Sequence, residues 1–136
     1  MIFVDTSAWL AVADPKDDHH EAAVAEHREL IAGRRGRLIT SDYVIDETLT
    51  LVRGRLGGSA AGTFAKSLAA SRSVQIVWVG QQHYEPALSL FLSQRGTAWS
   101  FTDCTSFVLM RELSVPTAFA FDNDFTEAGF ERRPQD

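Results

Sequence analysis

The sequence predicts an α/β protein, a three-layer α/β/α sandwich built on a mostly parallel sheet. Two observations carry this. The β-prone apolar runs are short, and segments with helical spacing separate nearly all of them, which is the pattern of βαβ units with helices on both faces of the sheet. Ile2 to Val4 opens the chain as a buried strand that feeds a turn at Asp5-Thr6-Ser7. Thr6 or Ser7 is expected to cap a short helix from Ala8 to Ala13, which Pro15 stops. Asp17-Asp18 opens a second helix reaching about Ala32, before Gly33. Leu38 to Thr40 is the second strand. A helix from Asp42 to about Arg53 follows, capped by Ser41 or Asp42 and ending near Gly54. Gly57-Gly58-Ser59 leads into another helix through Ala70, and Val74 to Val79 is the third strand.

Beyond Gly80 the pattern predicts a helix from about Tyr84 to Ser93, closed by Gln94-Arg95-Gly96. Thr102 reads as the N-cap of a largely buried helix from Asp103 to Leu113, and Pro116 ends that pattern. Thr117 to Phe121 is a compact apolar strand, and Phe130 to Arg132 adds a short edge strand. There are no repeats or linkers, so residues 1–136 are expected to form a single domain. With 136 residues and 45% apolar content, such a chain can bury roughly two thirds of its unfolded surface. No apolar stretch is long enough to span a membrane, and the start of the chain lacks the basic region of a leader, so a cytoplasmic protein is expected. Cys104 is the only cysteine, which excludes an intrachain disulfide and a CxxC motif. It is expected to be a buried small hydrophobe.

A net charge of −5 argues against a nucleic-acid partner, because phosphate binding relies on Lys and Arg releasing counterions. Distribution weakens the objection. Arg34, Arg35, Arg37, Arg53 and Arg55 lie close in sequence, and part of the negative charge falls where a cation could neutralise it.

Asp5 and Asp122 each follow an apolar strand. Open α/β sheets bind ligands beyond the carboxyl ends of their strands, so two parallel strands would deliver both acids to one edge. Either alone could simply begin a turn. Glu47 shares a predicted helix face with Tyr43, Val44 and Leu51, which directs it inward, whereas Asp46 shares one with Asp42, Thr50 and Arg53 and belongs to solvent. An inward carboxylate is costly without a cation or hydrogen bonds. Asp103 falls in the first turn of its helix, where the dipole favours it, and Ser106, Phe107 and Met110 on its face suggest partial burial. Four acids brought together would repel by about 4 kcal/mol per close pair at an effective dielectric of 20, so they require a divalent cation. All-oxygen ligation favours Mg²⁺ or Mn²⁺, ions suited to phosphodiester hydrolysis.

The segments Val4-Asp5-Thr6-Ser7-Ala8, Ser41 to Thr48, Phe101 to Ser106 and Phe121 to Phe125, followed by Gly129-Phe130, resemble the PIN-domain nucleases. Within that family they resemble the VapC-type ribonuclease toxins of prokaryotic toxin–antitoxin systems. The resemblance covers almost the whole chain. It implies a PIN-like fold, endonucleolytic hydrolysis of RNA, and a Mg²⁺ or Mn²⁺ site of Asp5, Glu47, Asp103 and Asp122. Thr6, Ser7, Thr102 and Asp124 would support it. Asp122 is preferred over Asp124 because it directly follows the strand, Asp124 being placed to cap the turn or helix ahead of Phe125. A homodimer and a small antitoxin partner are also implied, with a single-stranded loop of a folded RNA as substrate.

Other readings are weaker. A haloacid-dehalogenase-like phosphatase wants a second Asp where Ser7 stands, and a receiver-like domain wants a late lysine, yet the last one is Lys66. A non-catalytic PIN-like module that binds RNA or protein should have lost site acids, and none is missing. His19 and His20 read as a solvated helix start rather than metal ligands. Of the tryptophans Trp9, Trp78 and Trp99, most are expected to pack, with Trp9 the one that could border the groove.

Overall fold

The computed structural model describes residues 1–135. Its five strands form one parallel sheet in the order β3-β2-β1-β4-β5, from β1 (Ile2–Val4), β2 (Leu38–Ser41), β3 (Val74–Val77), β4 (Thr117–Phe119) and β5 (Glu131–Arg133). β1 is the central strand, paired to β2 on one side and to β4 on the other, with Val4 opposite Phe119. The chain steps outward from β1 through β2 to β3, then crosses back to build β4 and β5 on the far side. The strand order reverses between β1 and β4, and it is at such a switch point, beyond the carboxyl ends of the strands, that open α/β sheets bind ligands.

Seven helices complete the described residues: α1 (Thr6–Ala13), α2 (His20–Ile31), α3 (Asp42–Leu56), α4 (Gly58–Ala70), α5 (Gln81–Ser93), α6 (Phe101–Glu112) and α7 (Asp124–Glu127). Phe3, Val4, Leu38, Ile39, Ala118 and Phe119 of the inner strands are all buried, as near-continuous apolar strands of a parallel sheet must be. Phe107 of α6 packs its ring edge-on against Trp99 and Phe125, which ties the α6 layer to the segment after β4.

Several boundaries differ from the sequence expectation, each for a local reason. Helix α1 starts at Thr6 because the cap is Asp5 rather than Thr6 or Ser7. Helix α2 starts at His20, later than Asp17, because the Asp17 side chain instead accepts the His19 amide and closes a turn. Helix α3 runs through Gly54 and ends at Gly57, whose φ of 93° a side chain would oppose. Strand β3 ends at Val77, since the Val79 amide donates to Asp42 Oδ1 at 2.8 Å. Ser100, not Thr102, caps α6. Of the turn or helix expected ahead of Phe125, the helix α7 forms, with Asn123 rather than Asp124 as its cap.

Candidate metal centre

Asp5 sits at the end of β1 and caps α1, so one carboxylate does two local jobs. Its Oδ2 accepts from the Ser7 amide at 3.1 Å and from Ser7 Oγ at 2.7 Å. Ser7 Oγ in turn accepts from the Phe121 amide at 3.0 Å, which joins the start of α1 to the segment after β4. Asp5 is only 4% exposed. Burial pushes its pKa up to about 7, the Ser7 hydrogen bonds oppose the shift, and the charge of nearby Asp103 adds to it.

Asp103 stands in the first turn of α6, where a reciprocal capping box holds it. Its amide donates to Ser100 Oγ and its Oδ2 accepts from the Ser100 amide, both at 3.0 Å. Burial again raises its pKa, with Asp122 contributing repulsion. Asp122 and Asp124 come from the loop after β4 and the start of α7. The Asp124 amide donates to Asp122 Oδ1 at 3.0 Å. Asp103, Asp122 and Asp124 each place a carboxylate oxygen within 4.8 Å of the others. Burial, followed by the charges of Asp122 and Asp103, lifts the Asp124 pKa to about 6.

The fold thus brings Asp103, Asp122 and Asp124 within 4.8 Å of one another, with buried Asp5 near enough to feel the charge of Asp103. The preference for Asp122 assumed that it directly follows its strand, but β4 ends at Phe119. Beyond that point the Ala120 amide still reaches the Arg133 carbonyl, while the Phe121 amide turns to Ser7. Glu47 is half-buried rather than directed into the core, because Leu51 on its face is 38% exposed. It lies one residue before Thr48, whose hydroxyl donates to Thr6 Oγ1 at 3.3 Å, so its turn of α3 abuts the start of α1. Asp46 is exposed, as expected.

Thr6 donates to the Val44 carbonyl and joins α1 to α3. The Thr102 carbonyl accepts the hydroxyls of Thr105 and Ser106. Ser100 was missed, although Ser-x-x-Asp is a legible capping signal. The Trp9 ring packs in the core. It is buried beside Phe64 and His27, lining an apolar cavity of about 430 Å³ between α1 and α4. Trp78, by contrast, is 69% exposed. Arg55 meets Asp14 and Asp17, and Arg34 pairs with Glu29 on the surface. Cys104 is buried, and burial pushes its thiol up to about 11, leaving it inert.

The donor set is all carboxylate oxygen, and three of these acids have pKa values pushed upward in the absence of a cation. Such a cluster suits a hard divalent ion. No helix among the described residues is long and apolar enough to cross a membrane.

Comparison with known proteins places the chain in a family. The family model described as PIN domain matches residues 2–131. The chain is 38% identical over 136 residues to the 23S rRNA-specific endonuclease VapC20 of Mycobacterium tuberculosis, covering 99% of this chain and 100% of that protein. A VapC ribonuclease of Archaeoglobus fulgidus is 27% identical over 124 residues, 90% of this chain and 78% of its own length. The crystal structure of Mycobacterium tuberculosis VapC20, described as a Sarcin-Ricin loop cleaving toxin, superimposes with a TM-score of 0.86 at 35% identity. That match covers 96% of each chain.

Proposed function

Since the chain belongs to the PIN-domain family, we propose that it is a divalent-metal-dependent endoribonuclease of the VapC type, a toxin held in check by a small antitoxin. The observation that carries the reading is the convergence of Asp103, Asp122 and Asp124 within 4.8 Å, with buried Asp5 beside Asp103. We assign Asp5, Asp103, Asp122 and Asp124 to hold the cation, and Glu47 to the adjoining turn of α3 as a further acid of the site. Mg²⁺ is the preferred ion, with Mn²⁺ able to replace it. When bound, the cation supplies charge stabilisation at the phosphate and a nucleophile at neutral pH.

The chain's own residues fix the plane of each carboxylate. Ser7 takes one oxygen of Asp5, the Ser100 amide one of Asp103, and the Asp124 amide one of Asp122. Preset orientation of this kind tightens a metal site and spares reorganisation during reaction. Because two of the acids approach neutral pH before they release their protons, cation binding displaces protons and should strengthen as pH rises.

The substrate class that fits is a structured RNA with an exposed loop, and the sarcin-ricin loop hairpin of 23S rRNA is the first to try, given the relatives' specificity. A cytoplasmic location follows from such a substrate. The test is incubation of the purified protein with that hairpin and with total RNA, with EDTA and with Mg²⁺ or Mn²⁺ restored. Discrete cuts that appear only with metal support the proposal. RNA left intact under every metal condition, with the protein folded, points to a non-catalytic RNA- or protein-binding module.

A further inference from the structure

One ring pair borders the acidic cluster without a role in the reading above. His19 is exposed at the N-cap of α2, and its imidazole lies flat on the Phe121 ring, with centroids 4.5 Å apart and planes 10° from parallel. Phe121 immediately precedes Asp122, and its amide reaches Asp5 through Ser7 Oγ. The stack is therefore anchored to the same backbone as the acids.

The loop that carries His19 is built to stay in place. Arg55, near the end of α3, lies 3.9 Å from Asp14 and 3.4 Å from Asp17. Asp17 Oδ1 accepts the His19 amide at 2.9 Å, and Asp14 Oδ1 accepts the Lys16 amide at 2.9 Å. His20 Nδ1 donates to the Ala11 carbonyl at 2.7 Å. These contacts fix the loop before any ligand arrives, so less freedom is lost on binding. Shielding Phe121 from water needs only an aliphatic side chain. A parallel planar ring does something more, because among the described residues no second ring covers its outer face.

We propose that His19, backed by Phe121, is the platform on which an unpaired RNA base stacks next to the phosphodiester bond that is cut. The inference rests on the ribonuclease reading above. Recognition of single-stranded RNA loops uses bases splayed onto aromatic side chains, histidine included. With a net charge of −5, affinity that does not depend on phosphate attraction is of use to this chain, and sequence-tolerant stacking supplies it. Of the four histidines, His20 and His27 are half-buried and His83 is buried in a contact with Glu112, which leaves His19 as the exposed one.

The test uses hairpin RNAs with a purine-containing loop, and the same hairpins with single loop bases replaced by abasic residues. Wild type, His19→Ala and His19→Phe are compared for binding in EDTA and for cleavage in Mg²⁺. His19→Ala should raise Kd and KM about tenfold and leave kcat within about threefold, with His19→Phe restoring both. One abasic position should weaken wild type about tenfold and make no further difference in His19→Ala. Unchanged Kd and KM in His19→Ala overturns the proposal, as does a loss confined to kcat or full additivity at every abasic position. Wild type that binds these hairpins through His19 yet never cuts RNA overturns the ribonuclease reading instead.

Discussion

Replacing Asp5 with Asn should stabilise the metal-free protein at neutral and alkaline pH, a gain that comes from removing a site residue. The Asp5 carboxyl is raised from its ordinary 3.8 to about 7, chiefly by burial. Between those two values the folded chain holds a proton that the unfolded chain has released, so stability falls as pH rises from about 4 to about 7 and then levels off. At about 1.4 kcal/mol per pH unit, the loss approaches about 4 kcal/mol for this one group. Relaxation and water entry around the charge reduce it, so a difference of about 1 to 4 kcal/mol is expected. Asn keeps an oxygen to accept the Ser7 amide and hydroxyl but carries no charge. Urea unfolding in EDTA at pH 4.5 and pH 8 reads the effect. Asp5→Asn should match wild type within about 1 kcal/mol at the lower pH and exceed it at the higher one. Excess Mg²⁺ at pH 8 should then raise wild type and leave the variant nearly unmoved. Equal pH dependence of the two proteins, or a variant weaker than wild type at pH 8, refutes the account of Asp5 as a buried, uncompensated acid.

Asp103→Asn should lower kcat for RNA cleavage by at least about a hundredfold while keeping the α6 cap, seen as an unchanged circular dichroism spectrum. Glu47→Gln should reduce cleavage at least about tenfold if that turn of α3 joins the site, and a variant as active as wild type removes Glu47 from it. Ser7→Ala should weaken Mn²⁺ binding about ten- to a hundredfold in calorimetric titration, because it frees Asp5 and the Phe121 amide together. Arg133→Met should cost about 3 kcal/mol in urea unfolding by stranding the buried Glu26. Arg34→Ala should cost under about 0.5 kcal/mol, since the Arg34–Glu29 pair is exposed at 71% and 54%.

The fold was legible because parallel strands announce themselves. Ile2-Phe3-Val4 and Ala118-Phe119 are apolar on both faces, and helical spacing separates them. The same logic placed Asp5 directly after β1, whereas Asp122 lies beyond the end of β4 at Phe119. What sequence hid was side-chain bonding that replaces backbone pairing. Ser7 accepting the Phe121 amide shortens β4, and Asp42 accepting the Val79 amide shortens β3. Helix periodicity sent Glu47 inward because it treats Leu51 as core, yet that face lies at an edge where Leu51 meets water. The His19–Phe121 stack joins residues from opposite ends of the chain, and no local pattern encodes such a meeting.

The placement of β1 at the centre of the sheet makes the acid cluster depend on a long-range pairing. One of its two neighbours, Thr117 to Phe119, lies more than a hundred residues further along, and Asp122 and Asp124 lie beyond that. Two of the three acids that lie within 4.8 Å of one another, Asp122 and Asp124, are delivered by the segment after β4, while Asp103 comes from α6. The acid cluster is thus tied to the β1–β4 pairing, so whatever loosens that pairing scatters the carboxylates with it.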